Sequence, residues 1–343
     1  MIKILSHLEV PICYDQSNGC VRPYWEGGAP RTRETREDAN IFPTALNTSK
    51  IAIHCHVFYV ELLPELMDAW QVIAERQLLI STDTAAKANI IKKVLERNGE
   101  TSAVIRVCKN RGRDLGPLLT AFADVLNDFE VLIHCHTKKT PQEDQVFGTQ
   151  WRQLLTAATF PKDPALLNTI YNLLASPSGG LVMAWPHRIY AHNVNWGKNF
   201  RQTRAILKHL GHDVKRFDLL YFPAGSFFWI RLDQVKLLSH LQLRPEDFCA
   251  EPTPGDGRLA HALERSLGLL PMLQDRDNYA VWLGHSNHGL PGGAANTVIG
   301  HLPSQRHTQH IKQNWFKQGM NASLAEKQLG QQSIPLGCLG DYG

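Results

Sequence analysis

VIRVCKNRGRDLGP, residues 104–117, passes from a β-branched apolar run into dense charge within a few positions. Val104, Ile105 and Val107 read as a buried strand, residues 110–114 as the loop leaving its carboxyl end, and Leu118, Leu119, Phe122 and Leu126 recur at helical spacing. Strand, polar loop and helix in that order predict an open α/β sheet, which presents its binding groups in the crevice at the strand carboxyl ends.

The same order repeats on both sides. IAIHCHVFYVELL from Ile51 reads as a strand and PELMDAW as the helix after it; QLLIST, residues 77–82, is a strand ending at Asp83, followed by a helix over 85–98 closed by Gly99. A helix over 116–127 then leads to a fourth strand over 129–134. The expected architecture is a Rossmann-like, mostly parallel α/β sheet. Further along, helices are expected over 151–158, 164–175, 200–210 and 259–270, and strands over 180–185 and, broken at Gly225, over 219–231. Residues 1–50 carry breakers and the charged run RTRETRED and read as an N-terminal arm. From Gly284 the chain is rich in Gly, His, Asn and Gln, which predicts a loosely packed tail over 284–343 with a short amphipathic piece near 311–320.

With 343 residues, 43% hydrophobic and 20% charged, the chain has the composition of a globular protein with a substantial core. A net charge of +4 argues against general nucleic-acid binding. The seven cysteines stand singly, with no CxxC, and no secretory leader is evident, so a reduced, cytoplasmic setting is expected. No apolar run reaches the ~20 residues that span a bilayer, which leaves only peripheral contact with the inner face of the membrane.

Lys109, Arg111 and Arg113 lie within five residues, and guanidinium forks pair bidentately with phosphate or carboxylate, with Asp114 placed to orient one of them. Lys138 and Lys139 follow the fourth strand, and if that strand neighbours the third, five cations converge on one crevice suited to a diphosphate. The alternative is two solvated turns. The triplets His54-Cys55-His56 and His134-Cys135-His136 each place two imidazoles on one strand face with the thiol opposite, a spacing unlike closed zinc sites. No metal site is expected there, although the histidines are candidates to line the pocket. Asp83, Asp114, Glu251, Asp256 and Glu264 are the acidic candidates for a general base; Asp256 reads equally as the N-cap of the helix after it. Among the aromatics, Trp196 in NVNWGKNF is the candidate to stack on a sugar, and Phe228 is expected in the core.

In IAIHCHVFYVELL, LISTDTAAK, NRGRDLGPLL, VLIHCHTKKT, WRQLL, FPAGSFFWIR and GDGRLAHALERSLG, which span residues 51–270 in this order, the chain resembles the rhamnan synthesis F protein family of bacterial polysaccharide and lipopolysaccharide assembly. The resemblance implies a GT-A-type glycosyltransferase fold over 51–283, with a nucleotide-sugar-binding half at 51–150 and an acceptor-binding half at 151–283. It implies transfer of a sugar, typically rhamnose from dTDP-rhamnose, onto a glycan or lipid-linked glycan, with no bound cofactor beyond that donor. By position, Asp83 would lie near the nucleotide, and Asn110, Arg111, Arg113 and Asp114 would form the donor loop. His134, His136, Thr137, Lys138 and Lys139 fall where many such enzymes carry a metal-binding DxD, and Asp256, with Glu251 nearby, falls where they keep the catalytic base. Two lysines in place of DxD suggest transfer without a metal, the dependence on a divalent cation being left open. Two other classes fit the same residues: a non-catalytic glycan- or nucleotide-binding module, and a zinc-dependent hydrolase built on the two His-Cys-His triplets.

Overall fold

The computed structural model describes residues 3–5, 12–15, 20–23, 50–137, 139, 145–186, 190–216, 218–252, 255–283 and 298–302. In chain order these give β1 (Lys3–Leu5), β2 (Ile12–Asp15), β3 (Cys20–Pro23), β4 (Ile51–His56), α1 (Leu63–Trp70), β5 (Gln77–Thr82), α2 (Ala85–Arg97), β6 (Val104–Val107), α3 (Leu115–Ala121) and β7 (Val131–His136). There follow α4 (Gln145–Thr159), α5 (Pro164–Ala175), β8 (Gly179–Ala184), α6 (Phe200–His209), β9 (Phe228–Arg231), α7 (Leu232–Ser239), α8 (Leu259–Leu273), β10 (Asp277–Trp282) and β11 (Val298–His301).

Nine strands form one sheet in the order β1-β11-β10-β8-β9-β7-β4-β5-β6, and β2 and β3 pair separately. Strand β4 is parallel to both β5 and β7, and β5 to β6; β9 runs antiparallel between β7 and β8 and joins this parallel block to the parallel pair β8–β10. Helices cover both faces, α3, α6, α7 and α8 on one and α1, α2, α4 and α5 on the other, each over its own apolar cluster. Burial on both faces explains why β4 and β7 open on three consecutive apolar residues, Ile51-Ala52-Ile53 and Val131-Leu132-Ile133, rather than on an alternating pattern. The expected Rossmann-like α/β sheet is the observed one.

Local signals place the helices. Thr84 caps α2 by accepting from Lys87 N at 3.2 Å, and Asp163 caps α5 by accepting from Ala165 N at 2.9 Å, just ahead of Pro164 in the first turn. In α8, Gly268 allows the helix to lie against the chain at 221–222, because a Cβ there would come within 2.5 Å of Phe222 Cα.

Several expectations are corrected. Helix α3 stops at Ala121 instead of continuing to 127, because the Arg106 guanidinium takes the Ala121 carbonyl and pairs with Asp124 at 2.6 Å. The aromatic run at 219–231 is a strand only from Phe228; Gly225 (φ +93°) and Ser226 (φ +56°) form a turn that ends the ladder. Strands β1 and β11 carry the sheet beyond 51–283, so both flanking segments contribute to it. The expected piece at 311–320 lies outside the described residues. Most consequentially, β6 and β7 are not neighbours: β4 and β5 stand between them. Local periodicity finds strands but carries no record of their lateral order.

From β4 the chain builds outward to β5 and β6, then returns to start β7 on the opposite side of β4. This reversal is a topological switch point, and the carboxyl ends of the two strands beside it, β4 and β7, are the position at which such sheets bind ligands. Among the described residues, no helix is long and apolar enough to cross a membrane.

Candidate functional site

Four histidines meet at this switch point, with His54 opposite His134 and His56 opposite His136 in the parallel register. Strand alternation turns all four toward the α3/α8 face and sends Cys55 and Cys135 into the other core. The Ser81 hydroxyl on β5 bridges His54 Nε2 at 3.1 Å and His56 Nδ1 at 2.8 Å. His134 Nδ1 donates to the Ser226 carbonyl at 2.6 Å, and His136 Nε2 donates to that of Gly225 at 3.0 Å. A carbonyl only accepts, so those two ring nitrogens must carry hydrogen. Burial holds His54 well below the ordinary imidazole range and lowers His56 to about 4.

The turn that receives His134 and His136 is itself held by Glu264 of α8, which accepts from Gly225 N at 2.8 Å and from the Ser226 hydroxyl at 3.2 Å. Next to it Arg265, buried, donates to the carbonyls of Asn195 at 2.9 Å and His261 at 3.0 Å, lies over the Phe222 ring, and stands 3.7 Å from Asp256. His261 Nδ1 accepts from Arg258 N at 3.3 Å; burial first, then Arg113, lowers its pKa to about 3.

The arginine loop reaches this cluster by folding back across the sheet. Arg111 bridges to Ala250 and its guanidinium donates to the Phe248 carbonyl at 2.7 Å; Glu251 N donates to the Asn110 carbonyl at 3.1 Å; Lys109 pairs with Glu246 at 2.6 Å. Gly112 (φ +73°) makes the turn against Phe248, where a Cβ would sit 2.5 Å from the ring. Arg113 then stands 3.8 Å from Glu251, and Asp114 turns inward, its Oδ2 3.7 Å from His134 Nε2. Burial opposes ionisation of Asp114, but the histidines His136, His134 and His56 together keep its carboxyl below the usual carboxylate range.

The sequence therefore identified residues that do assemble, though by another route. Asn110, Arg111, Arg113, Asp114, His134, His136 and Glu251 are drawn together through the 246–251 segment rather than by adjacent strands. Asp256 is not the cap of α8, which begins at Leu259 after Arg258; it accepts from Lys198 N at 2.9 Å and from the Asn199 amide at the start of α6. Burial opposes ionisation of Asp256, yet Arg265 and these two bonds hold its pKa below the ordinary value.

Other residues stand apart. Asp83 pairs with Lys87 at 2.7 Å, and Lys87 in turn lies over Phe58. The Thr137 hydroxyl accepts from both Phe58 N and Tyr59 N at 2.9 Å and so fixes the loop after β4. Lys139 pairs with Glu61 and sits over Tyr59, 4.6 Å from the ring centre, without a described contact to the arginines. The expected convergence of five cations is thus not seen among the described residues, and Lys138 lies outside them. Trp196 is corrected outright: it is fully buried, its Nε1 donates to Arg216 O at 2.9 Å, and no face is offered to a ligand. Phe228 is in the core as expected, stacked on His134.

His261, Arg265, Ser81 and Ser226 were not identified from the sequence. The signal for the first two was there: His261, Glu264 and Arg265 recur at i, i+3 and i+4, a polar stripe on an otherwise apolar helix. Among the described residues, no group of three or more His, Cys, Asp or Glu is placed to hold a metal ion.

A family model described as rhamnan synthesis protein F (RgpF) matches residues 35–276. The chain is also similar to proteins described as "Uncharacterized protein WxcX" in two strains of Xanthomonas campestris pv. campestris, one of them B100, with 29% identity over 241 residues in each case. The aligned region is 69% of this chain and 34% of those relatives, so the chain spans about a third of their length.

Proposed function

The chain belongs to the rhamnan synthesis protein F family, and on that premise we propose that it is a glycosyltransferase moving rhamnose from dTDP-rhamnose onto a growing surface glycan or lipid-linked glycan. The family membership makes a role in polysaccharide synthesis the starting point. The observation that carries the finer reading is the switch point above β4 and β7, beside which the arginine loop and the chain leading into α8 are folded together on one face of the sheet.

In this reading an acceptor hydroxyl attacks the anomeric carbon, a new C–O bond forms as the bond to the nucleotide diphosphate breaks, and Asp256 takes the hydroxyl proton, with Glu251 as the neighbouring carboxylate. Arg111 and Arg113 balance charge on the departing diphosphate; a guanidinium has five N–H donors, so the Arg111 bond to Phe248 leaves others for phosphate oxygens. Lys139 contributes once it exchanges Glu61 for phosphate, and Lys138 beside it acts in the same sense. Asp83 lies on the nucleotide side, and residues 51–150 and 151–283 act as donor and acceptor halves. The chain works in the cytoplasm, with peripheral contact at the inner face of the membrane and no requirement for a divalent cation.

The test is incubation of the purified chain with dTDP-rhamnose and a rhamnan oligosaccharide, following dTDP release and extension of the acceptor, with and without EDTA. Transfer that survives EDTA supports the reading; absence of binding to any nucleotide sugar defeats it. One observation favours a second reading, a non-catalytic nucleotide- or glycan-binding module. Both oxygens of Asp256 already accept hydrogen bonds that hold the loop before α6. Donor binding without hydrolysis or transfer would select that module.

A further inference from the structure

Asp114 and His134 present two buried acceptors to one another with no donor between them. The His134 ring is fixed: Nδ1 donates to the Ser226 carbonyl, and the ring lies stacked at 6° on Phe228. With its hydrogen on Nδ1, a neutral His134 offers only a lone pair at Nε2. That lone pair faces Asp114 Oδ2 at 3.7 Å, and neither atom has a hydrogen-bond partner among the described residues. Buried polar atoms are ordinarily paired, and two acceptors cannot satisfy each other. His134 is fully enclosed and the two facing atoms are themselves buried, while the Asp114 side chain keeps 11% of its surface, so Asp114 is the member of the pair nearer to solvent.

We propose that Asp114 Oδ2 and His134 Nε2 form a subsite for two adjacent hydroxyl groups of a pyranose. A single hydroxyl has one hydrogen and satisfies one acceptor; neighbouring ring hydroxyls supply two hydrogens at a separation suited to both. His261 adds the complementary group: its Nδ1 accepts from Arg258, its hydrogen is on Nε2, and that buried N–H has no partner among the described residues. Asp114 thus acts as a sugar contact, whereas Arg111 and Arg113 beside it are left to the phosphates. The inference rests on the sugar-transfer reading and assigns the sugar's position within it.

The hydroxyls belong either to the donor sugar or to the acceptor, and calorimetry separates the two. Asp114→Asn is the informative variant, because its amide N–H can donate to His134 Nε2 and close the subsite from within. For a donor subsite, wild type binds dTDP-rhamnose more tightly than dTDP, and the variant abolishes that difference, a loss of tenfold or more, while dTDP affinity is unchanged. For an acceptor subsite, both nucleotides bind as in wild type and affinity for a rhamnan oligosaccharide falls instead. In either case the melting temperature stays level or rises. Unchanged affinity for both sugar ligands overturns the proposal. Should Asp114→Asn fail to fold, His134→Gln, whose amide can still serve Ser226, is read by the same titrations. Failure of the wild type to bind dTDP itself counts against the sugar-transfer reading, and retained oligosaccharide binding lost in the variant would still support the subsite.

Discussion

Glu264 on α8 accepts the backbone N–H of Gly225 at 2.8 Å, and through that one turn a helix fixes two histidines of the central strand β7. The turn bends through two left-handed residues, so its carbonyls face the sheet instead of continuing a ladder. Glu264→Ala should leave the Gly225 N–H and the Ser226 hydroxyl without their acceptor and cost about 1–3 kcal/mol in urea denaturation. Glu264→Gln, which keeps an acceptor oxygen, should recover most of it. Equal losses in both variants would mean that the carboxylate charge, not the acceptor, holds the turn.

Acid should weaken the fold from about pH 6.5 downward. His56 titrates near 4 and His261 near 3 in the folded chain, against about 6.5 when unfolded. Between those values the unfolded chain binds more protons, so stability falls as pH falls, by up to about 1.4 kcal/mol per unit for each group. Asp114, depressed below the usual carboxylate range, adds a loss of the same sign below about 4. Denaturation midpoints at pH 7, 6, 5 and 4 check this, and His56→Gln should flatten the slope between 6 and 4. A midpoint independent of pH over that interval would contradict the burial of neutral imidazoles.

Arg111 and Arg113 should separate on substitution. Arg111→Ala removes the donor to Phe248 O and should lower stability by about 1.5–3 kcal/mol as well as weakening donor binding, because the loop loses its anchor on the 246–251 segment. Arg113 is 3.8 Å from Glu251 and 37% exposed at its side chain, so Arg113→Ala should weaken dTDP binding with little change in melting temperature. Matching losses of stability in the two variants would sink the distinction.

As the proposed base, Asp256 makes its own prediction. Asp256→Asn should reduce turnover about 10²- to 10⁴-fold with donor affinity nearly unchanged. A variant that keeps full rate would reduce Asp256 to the clamp on Lys198 and Asn199 that it already forms, and Glu251→Gln would then be measured.

Local chemistry made much of this legible. The enclosed strands at 51–56 and 131–136 announce themselves by the apolar triplets Ile51-Ala52-Ile53 and Val131-Leu132-Ile133 that open them, α2 by Thr84 and Gly99, and α5 by Asp163-Pro164. The site residues around 110–114 stood out because charge so dense after a buried strand has few structural uses. What sequence could not supply was lateral order: nothing in Val104–Val107 or Val131–His136 says that two strands separate them, so the meeting of Asp114 with His134 came from the fold-back onto 246–251. Trp196 misled for a related reason, since the polar residues around it fill their bonding capacity locally while the indole turns inward. Strand β10 and helix α7 are hard to see in sequence because each begins within a few residues of the element before it, α7 directly after Arg231 of β9 and β10 four residues after Leu273 of α8.

The central claim is that a nucleotide sugar sits above β4 and β7, and hydrogen exchange read by mass spectrometry with and without saturating dTDP-rhamnose tests it most directly. The account predicts slowed exchange in peptides covering 57–61 and 109–118, with a smaller effect near 255–262. Exchange unchanged in those peptides, or slowed only at the β1–β11 edge of the sheet, would contradict it.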